Sequence, residues 1–218
     1  MDKVKKHFDI IAKTYDSHYK VKHKFYYKNL KKLLAYMIPK NKIVFEVGCG
    51  TGDLLNYVVP KKGFGMDISG EMIKKAKLKY KNHANLTFST NYPKGKYSYI
   101  FMSDVIEHLK NPIAEFIKIS KLMNKNSQLI ITMANPIWEP VLMLGEKVGY
   151  KMPEGPHNRI KNEEIKRLFK KVGLKMIKHD HFLLMPIYVP FITNFVNTYL
   201  ERYLKKYAFI EYIVAKKG

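Results

Sequence analysis

Ile43 to Leu55 reads IVFEVGCGTGDLL. Ile43, Val44, Phe45 and Val47 are β-branched or aromatic, and such a run predicts a buried parallel strand. Gly48, Gly50 and Gly52 follow at alternate positions, after which the pattern becomes helical over Asp53 to Val59. Glycine suits a backbone that takes positive φ or lets a ligand come close, and amides at a helix start attract a carboxylate or phosphate. The stretch therefore predicts an α/β sheet whose first strand runs into a ligand-holding loop.

Moving outward, Glu46 lies at the end of this strand and Asp67 closes a second short strand, GFGMD. Asp67 stands at about the twenty-residue distance where nucleotide-binding folds place the acid for a ribose diol. The loop is G-x-G-x-G, however, neither the dinucleotide fingerprint G-x-G-x-x-G nor a P-loop with its Lys-Ser/Thr ending. Taken alone it is also compatible with a tight strand-to-helix turn.

Glu46 to Gly52 (EVGCGTG) with Gly65 to Ser69 (GMDIS) resembles the cofactor site of class I S-adenosylmethionine-dependent methyltransferases. Tyr97 to Pro112 (YSYIFMSDVIEHLKNP) resembles that family's fourth strand and the loop after it, and Leu122 to Pro136 its fifth strand with the preceding helix end. The resemblance extends over roughly residues 8 to 180. It implies a Rossmann-like, mostly parallel seven-stranded sheet with the last strand antiparallel and helices on both faces. One methyltransferase domain would fill residues 1–218, with N-terminal helices in 1–40, a cofactor-binding core in 41–135, and a helical substrate cap from 136–160 and 182–206.

The implied cofactor is S-adenosylmethionine. Glu46, Gly48, Gly50 and Asp67 would bind it, Cys49, Thr51 and Gly52 would complete the loop, and Ile68 and Met72, with Met66, would flank the adenine. Asn91 occupies the place where family members often carry an acid for the adenine amino group, and its amide oxygen still accepts that bond without charge. Ser103 and His108 would approach from the loop after the fourth strand. His7 to Tyr19 (HFDIIAKTYDSHY) resembles the entry segment of quinone- and small-molecule-modifying members, and makes Tyr15 and Tyr19 candidates to lie over the cofactor. As ordinary residues, the same tyrosines would pack a helix onto the core.

Asp104, Glu107 and His108 lie in a stretch similar to quinone-biosynthesis O-methyltransferases, some of which hold a divalent metal there. No metal is expected here, because three hard ligands in one loop need a helical turn that makes them converge. His157, in GPHNRIKNEEIKRLFKKVGL, matches a loop histidine of the quinone-type enzymes. His108, His157 and Tyr15 are the candidate catalytic residues.

Net charge is +22, from 40 Lys and Arg against 18 Asp and Glu. That balance suits an anionic partner, yet the lysines are dispersed and no nucleic-acid module accompanies them. Cys49 is the single cysteine, so no intrachain disulfide forms. The first residues lack an uninterrupted apolar stretch and a small-residue cleavage site, so no signal peptide is expected. Phe182 to Val196, the most apolar run, is too short for a span and is broken by Pro186 and Pro190. With Arg202, Lys205 and Lys206 it would form an oily, basic face for a membrane surface, or bury itself against the N-terminal helices or a second subunit.

Two helices are predicted before the glycine loop, Asp2 to Ala12 and Lys24 to Met37, and later strands at Leu86 to Phe88, Leu174 to Asp180 and Tyr207 to Ala215. The expected function is methyl transfer to a small or lipid-like acceptor, first of all to oxygen, in a cytoplasmic protein that visits membranes. RNA or protein methylation, and a non-catalytic membrane adaptor that keeps the fold, are the alternatives.

Overall fold

The computed structural model describes residues 3–19, 21, 23–147 and 160–218. Helix α1 (Lys3–Ile11) and helix α2 (Lys24–Met37) precede the sheet, and α2 buries Leu30, Leu33 and Leu34 at helical spacing. The strands are β1 (Ile43–Val47), β2 (Lys62–Met66), β3 (Leu86–Ser89), β4 (Tyr97–Ser103), β5 (Met123–Ala134), β6 (Leu174–Phe182) and β7 (Ile210–Lys217). They form one sheet in the order β3-β2-β1-β4-β5-β7-β6. β1 to β5 are parallel neighbours, whereas β7 runs antiparallel to both β5 and β6.

The start of β7 and the end of β6 move from the expected limits for reasons visible in their partners. β7 starts at Ile210 because Lys205–Tyr207 make a short 3₁₀ turn and the Asn135 side-chain amide holds the carbonyls of Lys206 and Ala208. β6 continues to Phe182 because His181 and Phe182 pair with Glu211 and Ile210. The helix after the glycine loop, α3 (Asp53–Tyr57), stops short of Val59. Val59 has φ 48° and precedes Pro60, which disfavours helical backbone in the residue before it.

Helix α4 (Gly70–Lys79) opens on Ser69, whose hydroxyl accepts the Met72 amide at 3.1 Å. Helix α5 (Pro112–Lys121) opens on Asn111, helix α6 (Glu139–Lys147) follows β5, and helix α7 (Asn162–Lys171) packs Ile165 and Phe169 inward. Short helical turns then fill 192–207. Successive strand residues point to opposite faces, so Phe45, Ile100 and Ile131 join one core with Phe116 and Phe169, while Val44, Phe101 and Ile130 join another with Leu34 and Leu55. Because β1 has β2 on one side and β4 on the other, the chain order reverses at β1. Open α/β sheets bind ligands at such a point, beyond the carboxyl ends of the strands.

Candidate active site

Gly48, Gly50 and Gly52 all take positive φ, at 71°, 50° and 84°. A Cβ on Gly48 would stand 2.3 Å from a Val105 methyl, so the loops after β1 and β4 touch. One on Gly52 would stand 2.6 Å from the Phe88 ring. At Gly50 the nearest atom is Tyr15 Cε1, at 3.5 Å, so a Cβ there would make ordinary contact with the Tyr15 ring without a clash.

The loop's amides are largely engaged within the protein. Gly48 and Cys49 donate to the Met66 carbonyl at 2.7 and 2.9 Å, Gly52 to Cys49, and Gly50 to Asp67 Oδ2 at 2.8 Å. Helix α3 is a single short turn whose cap, Gly52, has no side chain, and buried Glu46 substitutes for it by accepting the Leu55 amide at 3.0 Å. Four loop amides and that of Leu55 are thus bonded within the protein, with the Glu46 and Asp67 carboxylates at the flanks of the loop.

Asp67, just past β2, also takes the Ser69 amide, at 2.8 Å on Oδ1. Burial pushes its carboxyl above the usual carboxylate range, against the two amides that favour the charged form. Ser69 in turn donates its hydroxyl to Asp9 at 2.6 Å, which fastens α1 across the mouth of the loop. Tyr15 follows in a π-helical turn and shares a hydroxyl contact of 2.9 Å with Tyr27 of α2. Burial pushes its phenol well above the ordinary range, so Tyr15 stays neutral and serves poorly as a base.

After β4, Asp104 takes φ 54° and its carboxylate accepts the Tyr26 hydroxyl at 2.7 Å. The Ser103 hydroxyl is buried without a hydrogen-bond partner and borders the cavity. His108 faces the same space, edge-on to Phe8 of α1 at 5.4 Å. Asp104, Glu107 and His108 do not converge on a point. Among the described residues the three-ligand cluster with metal-binding spacing lies elsewhere, at His179, His181 and Glu211.

One cavity of about 1750 Å³ joins these groups. Its loop end is bordered by Glu46, Gly48, Cys49, Gly50, Asp67, Ile68, Met72 and Asn91. Its far end is apolar, bordered by Phe25, Trp138, Val141, Leu142, Met185, Tyr188 and Phe209. Thr51 and Gly52 serve the loop's own fold: the Thr51 hydroxyl donates to Asp16 at 2.7 Å, and Gly52 packs beneath Phe88. His157 lies outside the described residues, as does the side chain of Tyr19. Sequence reasoning missed Tyr26, Phe25 and Phe209, which carry no motif. The signal nearest to them was the aromatic run Phe25-Tyr26-Tyr27 at the start of a predicted helix.

A family model described as a methyltransferase domain matches residues 15–179. No curated protein matches the sequence. Among solved structures, a chain of the complex between the Haloferax volcanii Trm112 methyltransferase activator and its candidate methyltransferase superposes with a TM-score of 0.72 at 18% identity, covering 97% of each chain. A possible histamine N-methyltransferase from Thermotoga maritima gives 0.69 at 14% identity over 99% of this chain and 100% of its own. Magnesium protoporphyrin IX methyltransferase from Synechocystis with bound S-adenosylhomocysteine gives 0.59 at 17% identity over 97% and 99%.

Proposed function

The chain belongs to the methyltransferase-domain family, and from that premise we propose that it methylates an oxygen of a large, mainly apolar small molecule. The observation that carries this reading is the two-ended cavity. Its volume of about 1750 Å³ exceeds the roughly 300 to 1,000 Å³ usual for one small-molecule ligand. It therefore has room for a cofactor at the loop and an acceptor among the aromatics.

The residues at the loop fit S-adenosylmethionine as cofactor. Gly50 borders the cavity beneath the Tyr15 ring, Asp67 offers a carboxylate, Ser103 an unpartnered hydroxyl, and Ile68 and Met72 apolar surface. When bound, the cofactor supplies an electrophilic methyl group and leaves as S-adenosylhomocysteine. Asp67 would accept hydroxyl hydrogens of the ribose, and Asn91, which also borders the cavity, would meet the adenine edge. α1, tied down through Asp9 and Ser69, closes one wall of the cavity with Val4, Phe8 and Ile11. His108 Nδ1 or Nε2 takes the acceptor's hydroxyl proton, and the Tyr26–Asp104 pair holds the loop that carries it. Holding acceptor and methyl in line is the larger contribution, since for well-oriented partners positioning alone can remove up to roughly 7 to 11 kcal/mol of such a barrier.

Calorimetry with S-adenosylhomocysteine tests the cofactor end, and a panel of phenolic and isoprenoid alcohols tests the other. One-to-one cofactor binding with turnover confined to apolar alcohols is expected, as is a loss of turnover in His108→Ala without loss of cofactor affinity. Turnover only on RNA or protein would overturn the acceptor assignment.

A second reading concerns where an enzyme of this kind meets its acceptor. Tyr188, Phe191, Ile192, Phe195 and Tyr199 are exposed, and Phe191 is 89% exposed. Arg202, Lys205 and Lys206 follow closely in sequence, a combination suited to an anionic lipid surface. Among the described residues no helix is long and apolar enough to cross a membrane.

A further inference from the structure

β6 and β7 bring three ligand-type side chains to one face at the carboxyl edge of the sheet. His181 pairs directly with Glu211 across the ladder, and His179, two residues earlier, projects from the same face. His179 Nε2 lies 2.6 Å and His181 Nε2 3.9 Å from Glu211 Oε1, and the three ligand atoms all lie within 4.8 Å of one another. Asn162, at the start of α7, completes the group: its amide nitrogen meets Glu211 Oε1 and lies 3.2 Å from His179 Nε2. Its Oδ1 is buried and has no hydrogen-bond partner. None of these residues borders the cavity described above.

Glu211 is 1% exposed in a chain of net charge +22, yet its partners among the described residues are two imidazoles and an amide, with no ammonium or guanidinium. A buried carboxylate requires a compensating charge. Two imidazoles and one carboxylate form a donor set that holds zinc in known sites, with a further position filled by another ligand or water. Bonds of about 2.1 Å suit donor atoms at this spacing after small rotamer changes. Turning the Asn162 amide over would present Oδ1, now unpartnered, as the fourth oxygen or nitrogen donor, and amide orientation is set by whatever it meets. His179 is exposed, which gives an ion access from solvent.

We propose that His179, His181 and Glu211, with Asn162 as the fourth donor, bind a first-row divalent cation of the zinc class. The ion clamps α7, β6 and β7 together and takes no part in methyl transfer. It steadies the start of β7, where Phe209, two residues before Glu211, borders the apolar end of the cavity.

The test uses the full chain, freed of metal by a chelator and dialysis, and titrated with Zn²⁺ in a calorimeter and with Co²⁺ in a spectrophotometer. One equivalent of tight binding is expected, with the visible absorption of four-coordinate cobalt and a rise in melting temperature. Outer partners of metal sites already change affinity on the order of 10- to 100-fold, so His179→Ala and His181→Ala each lose at least that much. Asn162→Ala loses less. His179 is at the surface, so that variant retains its fold. Weak binding of several equivalents, or one tight equivalent unchanged in both histidine variants, would overturn the site and leave a histidine–glutamate hydrogen bond. Loss of S-adenosylhomocysteine binding does not bear on this outcome, because the ion and the cofactor occupy separate places.

Discussion

Gly50 and Gly52 look alike in sequence and differ in what surrounds them. Both require positive φ, which costs a residue with a side chain about 1 to 2 kcal/mol. At Gly52 a Cβ also meets the Phe88 ring at 2.6 Å, and overpacking adds about 1 to 3 kcal/mol. Urea denaturation should therefore find Gly52→Ala clearly less stable than Gly50→Ala, and equal stability would contradict the packing described. Asp67 makes a different prediction, in pH. Because burial raises its carboxyl, it protonates at a higher pH than an ordinary aspartate, and cofactor affinity should decline in weakly acidic solution. Its effect on the empty protein has the opposite sign. A raised folded-state value means that this group's contribution to stability is full below the unfolded value and is lost as pH rises through the folded one. Asp67→Asn should flatten the binding profile and weaken S-adenosylhomocysteine by roughly 1.5 to 3 kcal/mol, as calorimetry across pH would show.

At the scale of elements, α1 and α2 make the site as much as the sheet does. α1 is fixed through Asp9 to Ser69, and α2 reaches the loop after β4 through Tyr26 and Asp104. Tyr26→Phe removes a bond to a charged acceptor, worth about 1.5 to 3 kcal/mol. It should lower turnover while cofactor affinity, set by the β1 and β2 loops, holds. A mutant that instead loses both equally would show that α2 orders the whole pocket. The 3₁₀ turn Pro136–Trp138 ahead of α6 and the chain from Tyr207 to Phe209 define the other end through Trp138, whose indole donates to the Tyr207 carbonyl at 2.9 Å and meets the Phe209 ring edge-on. Trp138 is the sole tryptophan. Apolar acceptors should shift its fluorescence, and S-adenosylhomocysteine alone should leave it nearly unchanged. Equal responses to both ligands would mean that the cavity does not have two separate ends.

For the whole molecule, the question is what the charge and the exposed aromatics meet. Binding to anionic vesicles should fall only partly with added salt, because inserted side chains contribute alongside the lysines. Phe191→Ser with Phe195→Ser should abolish it, given that these rings are 89% and 56% exposed. Nucleic-acid binding would behave otherwise, falling steeply with salt as counterions are released and ignoring the two rings. Sedimentation with vesicles and gel retardation with RNA, run on both proteins, separate these cases. A protein that retards RNA and ignores vesicles would move the acceptor assignment to nucleic acid.

The sequence by itself determined β1, the glycine loop, Asp67 after β2 and the start of the helix that follows it. Each of these is written in a local pattern: a β-branched run, glycines at positions of positive φ, a capping Ser69. It also led to α2 at its observed limits, because Leu30, Leu33 and Leu34 repeat at helical spacing. What only the tertiary structure decided are contacts between residues far apart in the chain. Glu46 caps α3, Tyr26 holds Asp104 across 78 positions, Asp9 ties α1 to Ser69 across 60, and Glu211 meets His179 across 32. Periodicity reports which face of an element is buried but not which element will cover it. That choice is made when the sheet order places β4 beside β1 and β7 beside β6, and with it the cavity and the histidine cluster come into being.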